Sequence, residues 1–112
     1  MELEVSHEGG YVLAITVGTV DDTARELFKD SLHPLFSRSG ATVVLDLSRS
    51  NLINSDGIGQ LVSLVVHANT SGSRVVLAAC SQFISEVLDR SKLNTFFEMA
   101  DSVPEAIRRV LG

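Results

Sequence analysis

Residues 41–65 read ATVVLDLSRSNLINSDGIGQLVSLV, and their pattern decides the fold class. Ala41 to Leu47 is an almost unbroken apolar run, as expected of a strand buried on both faces of a sheet. A polar loop, Arg49 to Asn54, follows. Beyond Ser55, the residues Ile58, Leu61, Val62 and Val65 fall at i, i+3, i+4 and i+7, one face of a helix. Ser71-Gly72-Ser73 closes that helix, and Arg74 to Ala79 is a second buried strand. A strand, a helix and another strand in this order require a crossover, so the two strands run parallel.

Working outward, Leu3 with Val5 and then Tyr11 to Val17 read as two strands joined by a Gly9-Gly10 turn, a hairpin. Val12-Leu13-Ala14-Ile15 is apolar on both faces and is expected deeper in the sheet than its partner. After Gly18, the oxygens of Asp21, Asp22 and Thr23 suit a helix start. Ala24, Leu27, Phe28, Leu32 and Leu35 then recur at helical spacing, and Pro34 is expected to end or kink the helix near His33. Downstream, Ser81 caps a third helix with Ile84, Val87 and Leu88 inward, and Phe96 to Met99 forms a short edge strand. Ser102-Val103-Pro104-Glu105 is a capping box opening a last helix, with Ala106, Ile107, Val110 and Leu111 on its apolar side. The order is that of one layered α/β domain over residues 1–112. Its expected core holds Ile15, Val44, Leu45, Val75, Val76 and Leu77, covered by Ile58, Leu61, Val62 and Val65. Phe28, Phe36, Phe83, Phe96 and Phe97 read as packing residues.

Composition narrows the function classes. With 112 residues, 45% of them hydrophobic, the chain has material for a single core. The longest apolar run, Val75 to Cys80, is far below the roughly 18–20 residues that span a bilayer. Glu2, Glu4 and Glu8 stand where a signal peptide would be basic and then apolar. A net charge of −5 without a basic block argues against nucleic acid. A soluble, cytoplasmic domain without membrane or nucleic-acid partners is expected. Catalytic groupings are not found: His7, His33 and His67 lack metal-ligand spacing, and Gly57-Ile58-Gly59 lacks the third glycine of a dinucleotide fingerprint. Cys80 reads as a small core hydrophobe. Asp46 lies where a receiver domain carries its phosphorylated aspartate, but the accompanying acidic pair and lysine are missing, so Asp46 is expected to organise its loop by accepting backbone amides. No metal, cofactor or catalytic set is expected, and the protein reads as a non-enzyme.

The remaining signal is Asn54-Ser55-Asp56-Gly57-Ile58-Gly59. Ser55 is a small hydroxyl at a loop-to-helix boundary, suited to capping the helix or to facing solvent. Free amides and the helix dipole there would stabilise a phosphate on Ser55 by about 0.3–1 kcal/mol. Gly57 and Gly59 are both expected to leave the first turn open to another molecule. A bulky residue at Gly57 should therefore block binding and leave the fold intact. From these residues alone, a simple cap and a phosphorylation switch both stand.

The chain resembles the STAS domains, and within them the bacterial anti-sigma factor antagonists. Val43-Val44-Leu45-Asp46-Leu47 followed by Ile53 to Gly59 is similar to the family's apolar strand ending Asp-Leu and its Asp-Ser-Ser/Thr-Gly-hydrophobic-Gly motif. Gly18 to Ala24 looks like Gly-x-hydrophobic-Asp-x-x-Thr-Ala. Gly72 to Leu77, and Val87-Leu88 with Ser91 to Leu93 and Phe96-Phe97, fit later family patterns at the right spacing. The resemblance implies a STAS fold: a central mixed β-sheet opened by a β-hairpin and packed with about four α-helices. It also implies an antagonist that binds an anti-sigma factor/serine kinase of the histidine-kinase-like ATPase type, is released by phosphorylation and is restored by a phosphatase. Ser55 takes the phosphoacceptor position. Asp21, Thr23, Asn54, Asp56, Gly57, Ile58 and Gly59 join it on the partner-binding surface.

Two positions depart from the motif. Asn54 replaces an aspartate, keeping an acceptor and losing a charge. Asp56 replaces a second serine or threonine and sets a fixed negative charge beside Ser55, expected to oppose phosphoryl transfer by about 1 kcal/mol. A second implied reading is a scaffold that assembles with itself or other STAS proteins and is never phosphorylated. A third, small-molecule sensing at the Asp21/Ser55 end, lacks a convergent polar set or a stacking aromatic.

Overall fold

A computed structural model describes residues 1–37 and 40–112. Five strands form one sheet in the order β1-β2-β3-β4-β5: β1 (Glu2–Glu8), β2 (Tyr11–Val17), β3 (Thr42–Arg49), β4 (Arg74–Ala78) and β5 (Glu98–Ala100). β1 and β2 are antiparallel, and the remaining pairs are parallel. The mixed sheet and its opening hairpin are thus as the sequence implies. Gly10, at φ +92°, makes the tight turn that a side chain would resist.

The helices are α1 (Ala24–Ser31), α2 (His33–Phe36), α3 (Ser55–Thr70), α4 (Gln82–Arg90) and α5 (Val103–Leu111). Where one helix up to His33 is expected, there are two. α1 stops at Ser31, and Pro34 sits in the first turn of the short α2, where its missing amide costs nothing. The strand expected over Phe96 to Met99 begins only at Glu98, because Phe96 and Phe97 still belong to the turn whose amides bond to Leu93. Glu98 is gripped at both oxygens by Arg74, at 2.8 and 2.6 Å, and this fork joins β5 to β4.

Sequential order with crossovers of one hand places α1 to α4 on one face. Under them lie Ala14, Val43, Leu45, Leu47, Val75 and Leu77, meeting Phe28, Leu32, Phe36, Leu61, Leu64, Ile84 and Leu88. The opposite face would be bare without α5, whose Ala106 packs on Val44, Val76, Ala78 and Ala100. α5 starts as expected: the Ser102 hydroxyl accepts from the Glu105 amide at 3.2 Å, while the Glu105 carboxylate accepts from the amide of Asp101, one residue earlier than in the usual box.

The expected core is confirmed at Val44, Leu45, Val76, Leu77 and Leu61, all fully buried. Ile15 is only partly buried: α5 reaches β2 too, where Tyr11 and Leu13 pack into the cluster around Ala106, but Ile15, further along the same face of β2, is not part of that cluster. Ile58 and Val62 lie partly buried at the flank of α3. Phe83 and Phe96, expected to pack, are 46% and 41% exposed. Among the described residues, no helix is long and apolar enough to cross a membrane.

Candidate functional site

The site is built where the carboxyl ends of β2 and β3 run out. Here the pairing slips: Ile15 pairs with Asp46, but Val17 pairs with Arg49, so β3 carries one extra residue. The extra length turns β3 into the loop 50–54. Asp46 organises this exit as expected, accepting the Ser48 amide at 2.8 Å. Ser50 turns fully inward, and its hydroxyl lies 2.7 Å from that of the equally buried Thr16. A buried hydroxyl needs a partner, so each anchors the other and fixes the loop on β2.

The loop after β2 is zipped along this one. The Gly18 amide donates to Arg49 O at 3.1 Å, that of Val20 to Leu52 O at 2.9 Å, and that of Asn54 to Val20 O at 3.1 Å. Val20 and Ile53 form a parallel bridge and are both buried. Asp21 and Ser55 are therefore the next residues along two chains already bonded to each other. The structure thus brings together Asp21, Thr23, Asn54, Ser55, Asp56, Gly57, Ile58 and Gly59, though in unequal roles.

Asn54 is the N-cap of α3. Its backbone is extended and its side-chain Oδ1 accepts the Gly57 amide at 2.9 Å. Ser55 is the first helical residue and is exposed. The capping role considered for Ser55 thus belongs to Asn54, and among the described residues the Ser55 hydroxyl makes no hydrogen bond. The first intrahelical amide is that of Ile58, bonded to Asn54 O at 3.0 Å. The amides of Ser55 and Asp56 precede that ladder and remain donors at the positive end of the helix. Asp56 is exposed in the same turn, where its charge favours the dipole.

The two glycines differ. Gly59 is open, and a Cβ there would meet nothing within 4 Å. Gly57 is buried, and a Cβ would lie 2.0 Å from Val20 O. The expectation that Gly57 leaves room for another molecule is therefore wrong. Its missing side chain is filled by the backbone of Val20, and it serves the seam between the two loops.

Asp21 accepts from both the amide and the hydroxyl of Thr23, and these bonds, the hydroxyl's above all, hold its carboxyl below the usual carboxylate range. The amino group of Met1 donates to Thr23 Oγ1 at 3.0 Å. Asp21 thus remains ionised at the edge of the site down to low pH. Burial pushes the Cys80 thiol up to about 11, which fits its reading as a packing residue.

Sequence reasoning missed an apolar rim. Ser81 caps α4, accepting the Ile84 amide, and also donates to Asn51 O at 2.9 Å, which ties the start of α4 to the site loop. Leu52 on that loop is 50% exposed, and Phe83, in the first turn of α4, is exposed beside this tie. Both are apolar residues in a position where a burying fold would place polar ones, and only the failure of their helical or strand period could have signalled it.

Solved structures share this architecture. SpoIIAA in its unphosphorylated form superposes with a TM-score of 0.79 at 21% identity, covering 99% of this chain and 97% of that one. Bacillus SpoIIAA in its phosphorylated form gives 0.74 at 20% identity, covering 97% and 99%. A candidate anti-sigma factor antagonist from Thermotoga maritima gives 0.82 at 18% identity, covering 98% and 95%. At such identities the likeness shows the fold. The sequence profile of STAS domains matches residues 3–106, nearly the whole chain, and by that match and this fold the chain belongs to the STAS domain family.

Proposed function

We propose that this STAS domain is an anti-sigma factor antagonist in a cytoplasmic partner-switching pathway. It binds an anti-sigma factor that is also a serine kinase of the histidine-kinase-like ATPase type. Transfer of a phosphoryl group to Ser55 releases it, and a phosphatase restores it. The observation that carries this reading is the division of labour at the start of α3: Asn54 caps the helix, so the exposed Ser55 hydroxyl holds nothing together. A phosphoserine adds about −1.5 to −2 charges beside two unbonded amides, which changes the surface and leaves the packing alone. The fold is shared with SpoIIAA, a protein solved in both unphosphorylated and phosphorylated forms. The docking face comprises Asp21, Thr23, Asn54, Asp56, Ile58 and Gly59 around Ser55, with Leu52 and Phe83 as its apolar anchors.

Co-purification from native cell extract tests this. Wild type and Ser55→Ala should retain an ATPase-fold kinase, and Ser55→Asp should lose it. Recovery of other STAS proteins with all three, and of no kinase, would replace the switch with a scaffold.

A further inference from the structure

The two edges of the sheet differ. β5 is three residues long, and the carbonyl of its Met99 already accepts from the Arg109 guanidinium at 2.8 Å. β1 is seven residues long and pairs with β2 at every one of them, from Glu2 with Val17 to Glu8 with Tyr11, without a bulge. In an antiparallel pair every second residue turns its N–H and C=O away from the partner, so β1 presents a row of these groups on its outer side. Among the described residues, no hydrogen bond reaches the β1 backbone from any element but β2. Such a row is a template for one more strand. The side chains decide which strand fits. Leu3 and Val5 face the helices and pack against the main core, yet are only partly buried, so part of each remains to be covered. On the other face Glu2, Glu4 and Glu8 are all exposed, beside Val17, Ile15 and Tyr11. Residues two apart on a strand are about 6.6–6.8 Å apart, a spacing that an added strand reproduces with its own alternate residues. Arg49, 3.7 Å from Glu4, shows how a cation meets this row. A second copy of β1 does not fit. Set antiparallel against itself with like faces matched, it opposes Glu2 to Glu8, Glu4 to Glu4 or Glu4 to Glu8 in each register that overlaps most of the strand, and like charges directly opposite are destabilising.

We propose that β1 takes up an extended basic segment of another protein as an added antiparallel strand. Lysine or arginine at alternate positions of that segment faces Glu2, Glu4 and Glu8, and apolar residues between them cover Leu3 and Val5. The backbone bonds hold the segment, and the cross-strand charges select it and fix its register. An acidic segment, or a second β1, is turned away by the same carboxylates. The surface runs along the edge of the sheet and does not use Ser55, so binding is independent of phosphorylation there.

The probe is the peptide Lys-Val-Thr-Val-Lys-Val-Lys, whose lysines fall opposite Glu8, Glu4 and Glu2 in antiparallel register. It is titrated into the full chain and followed by amide NMR and hydrogen exchange. Saturable shifts along β1 are expected, with slowed exchange at the β1 amides that exchange fast in the free protein, and the same in Ser55→Asp. N-methylation of the alternate peptide amides that face β1 keeps the charge and should abolish binding, whereas methylation of the other set should not. Glu4→Lys with Glu8→Lys should weaken binding at least tenfold with an unchanged melting curve, and this variant should bind the peptide that carries glutamates in place of the lysines. Equal binding of the peptide methylated on its pairing edge would reduce the contact to bulk charge. Protection of β1 that grows with protein concentration, without peptide, would make the occupant a second copy. Either result, or no saturation up to about 10 mM, would overturn the proposal.

Discussion

Gly57 and Gly59 occupy the same helical turn, and replacing each with alanine should move stability in opposite directions. In an open helical position, Gly→Ala gains about 0.5–1 kcal/mol by removing backbone freedom from the unfolded chain. Gly59 is such a position, with nothing within 4 Å of the added carbon. At Gly57 the added carbon would lie 2.0 Å from Val20 O, 2.5 Å from Val20 C and 3.0 Å from Ile53 Cγ1. The first two are backbone atoms locked in the Val20–Ile53 bridge, so neither swings aside. Overpacking costs about 1–3 kcal/mol, and rigid backbone puts this case at the upper end or beyond. After the helix gain, a net loss of about 2 kcal/mol remains, roughly 8 °C in Tm for a domain of this size. Gly59→Ala should raise Tm by about 2–4 °C. Urea and thermal unfolding followed by circular dichroism read both. A Gly57→Ala protein as stable as wild type would refute the packing role, and a destabilised Gly59→Ala protein would refute the contrast.

Asn54→Ala should cost about 1 kcal/mol in urea unfolding through loss of the α3 cap, while Asn54→Asp should retain most of that stability. Leu61→Ala, at a fully buried position under α3, should cost about 2–5 kcal/mol. Asp56→Ser should speed phosphorylation of Ser55 by a cognate kinase about five-fold at low salt, and less as salt rises; an unchanged rate would mean that Asp56 faces away from the incoming phosphate. Since His33 has a folded-state pKa below 6.5, the unfolded chain takes up its proton first. Its contribution to stability is therefore full above about pH 6.5, falls as the pH drops through that value and levels off below the folded pKa. The decline should be absent in His33→Gln when both proteins are unfolded across the same pH range.

The parallel core was legible because burial on both faces leaves an apolar signature that no surface element mimics: Val43 to Leu47 and Val75 to Ala78 are named by their composition. Helix starts were legible where a side chain does the capping, as at Ser81 and Ser102. What escaped depends on long-range geometry. The partial burial of Ile15 depends on how far α5, a distant element, covers β2 beyond Tyr11 and Leu13, which no local window contains. The inward turn of Ser50 depends on Thr16, 34 residues earlier, and a serine in a polar loop looks the same whether it faces solvent or a buried partner. The exposure of Phe83 depends equally on what fails to cover it.

The misreading of Gly57 has the same origin and changes how the site is understood. A glycine beside a phosphoacceptor position suggests room for a partner, but the room at Gly57 is taken by the chain itself. That close approach sets the first turn of α3 against Val20, and so places Ser55 beside Asp21 at a fixed separation. At this end Asn54, Ser55, Asp56 and Gly59 are exposed, while the buried Gly57 holds the turn against the loop seam. Exposed Asp56, buried Gly57 and exposed Gly59 share one turn because an α-helix rotates each successive side chain by about 100°. On the proposed reading, a phosphate gained or lost at Ser55 would change one side of the turn while the other side, facing the loop seam, keeps the helix in place.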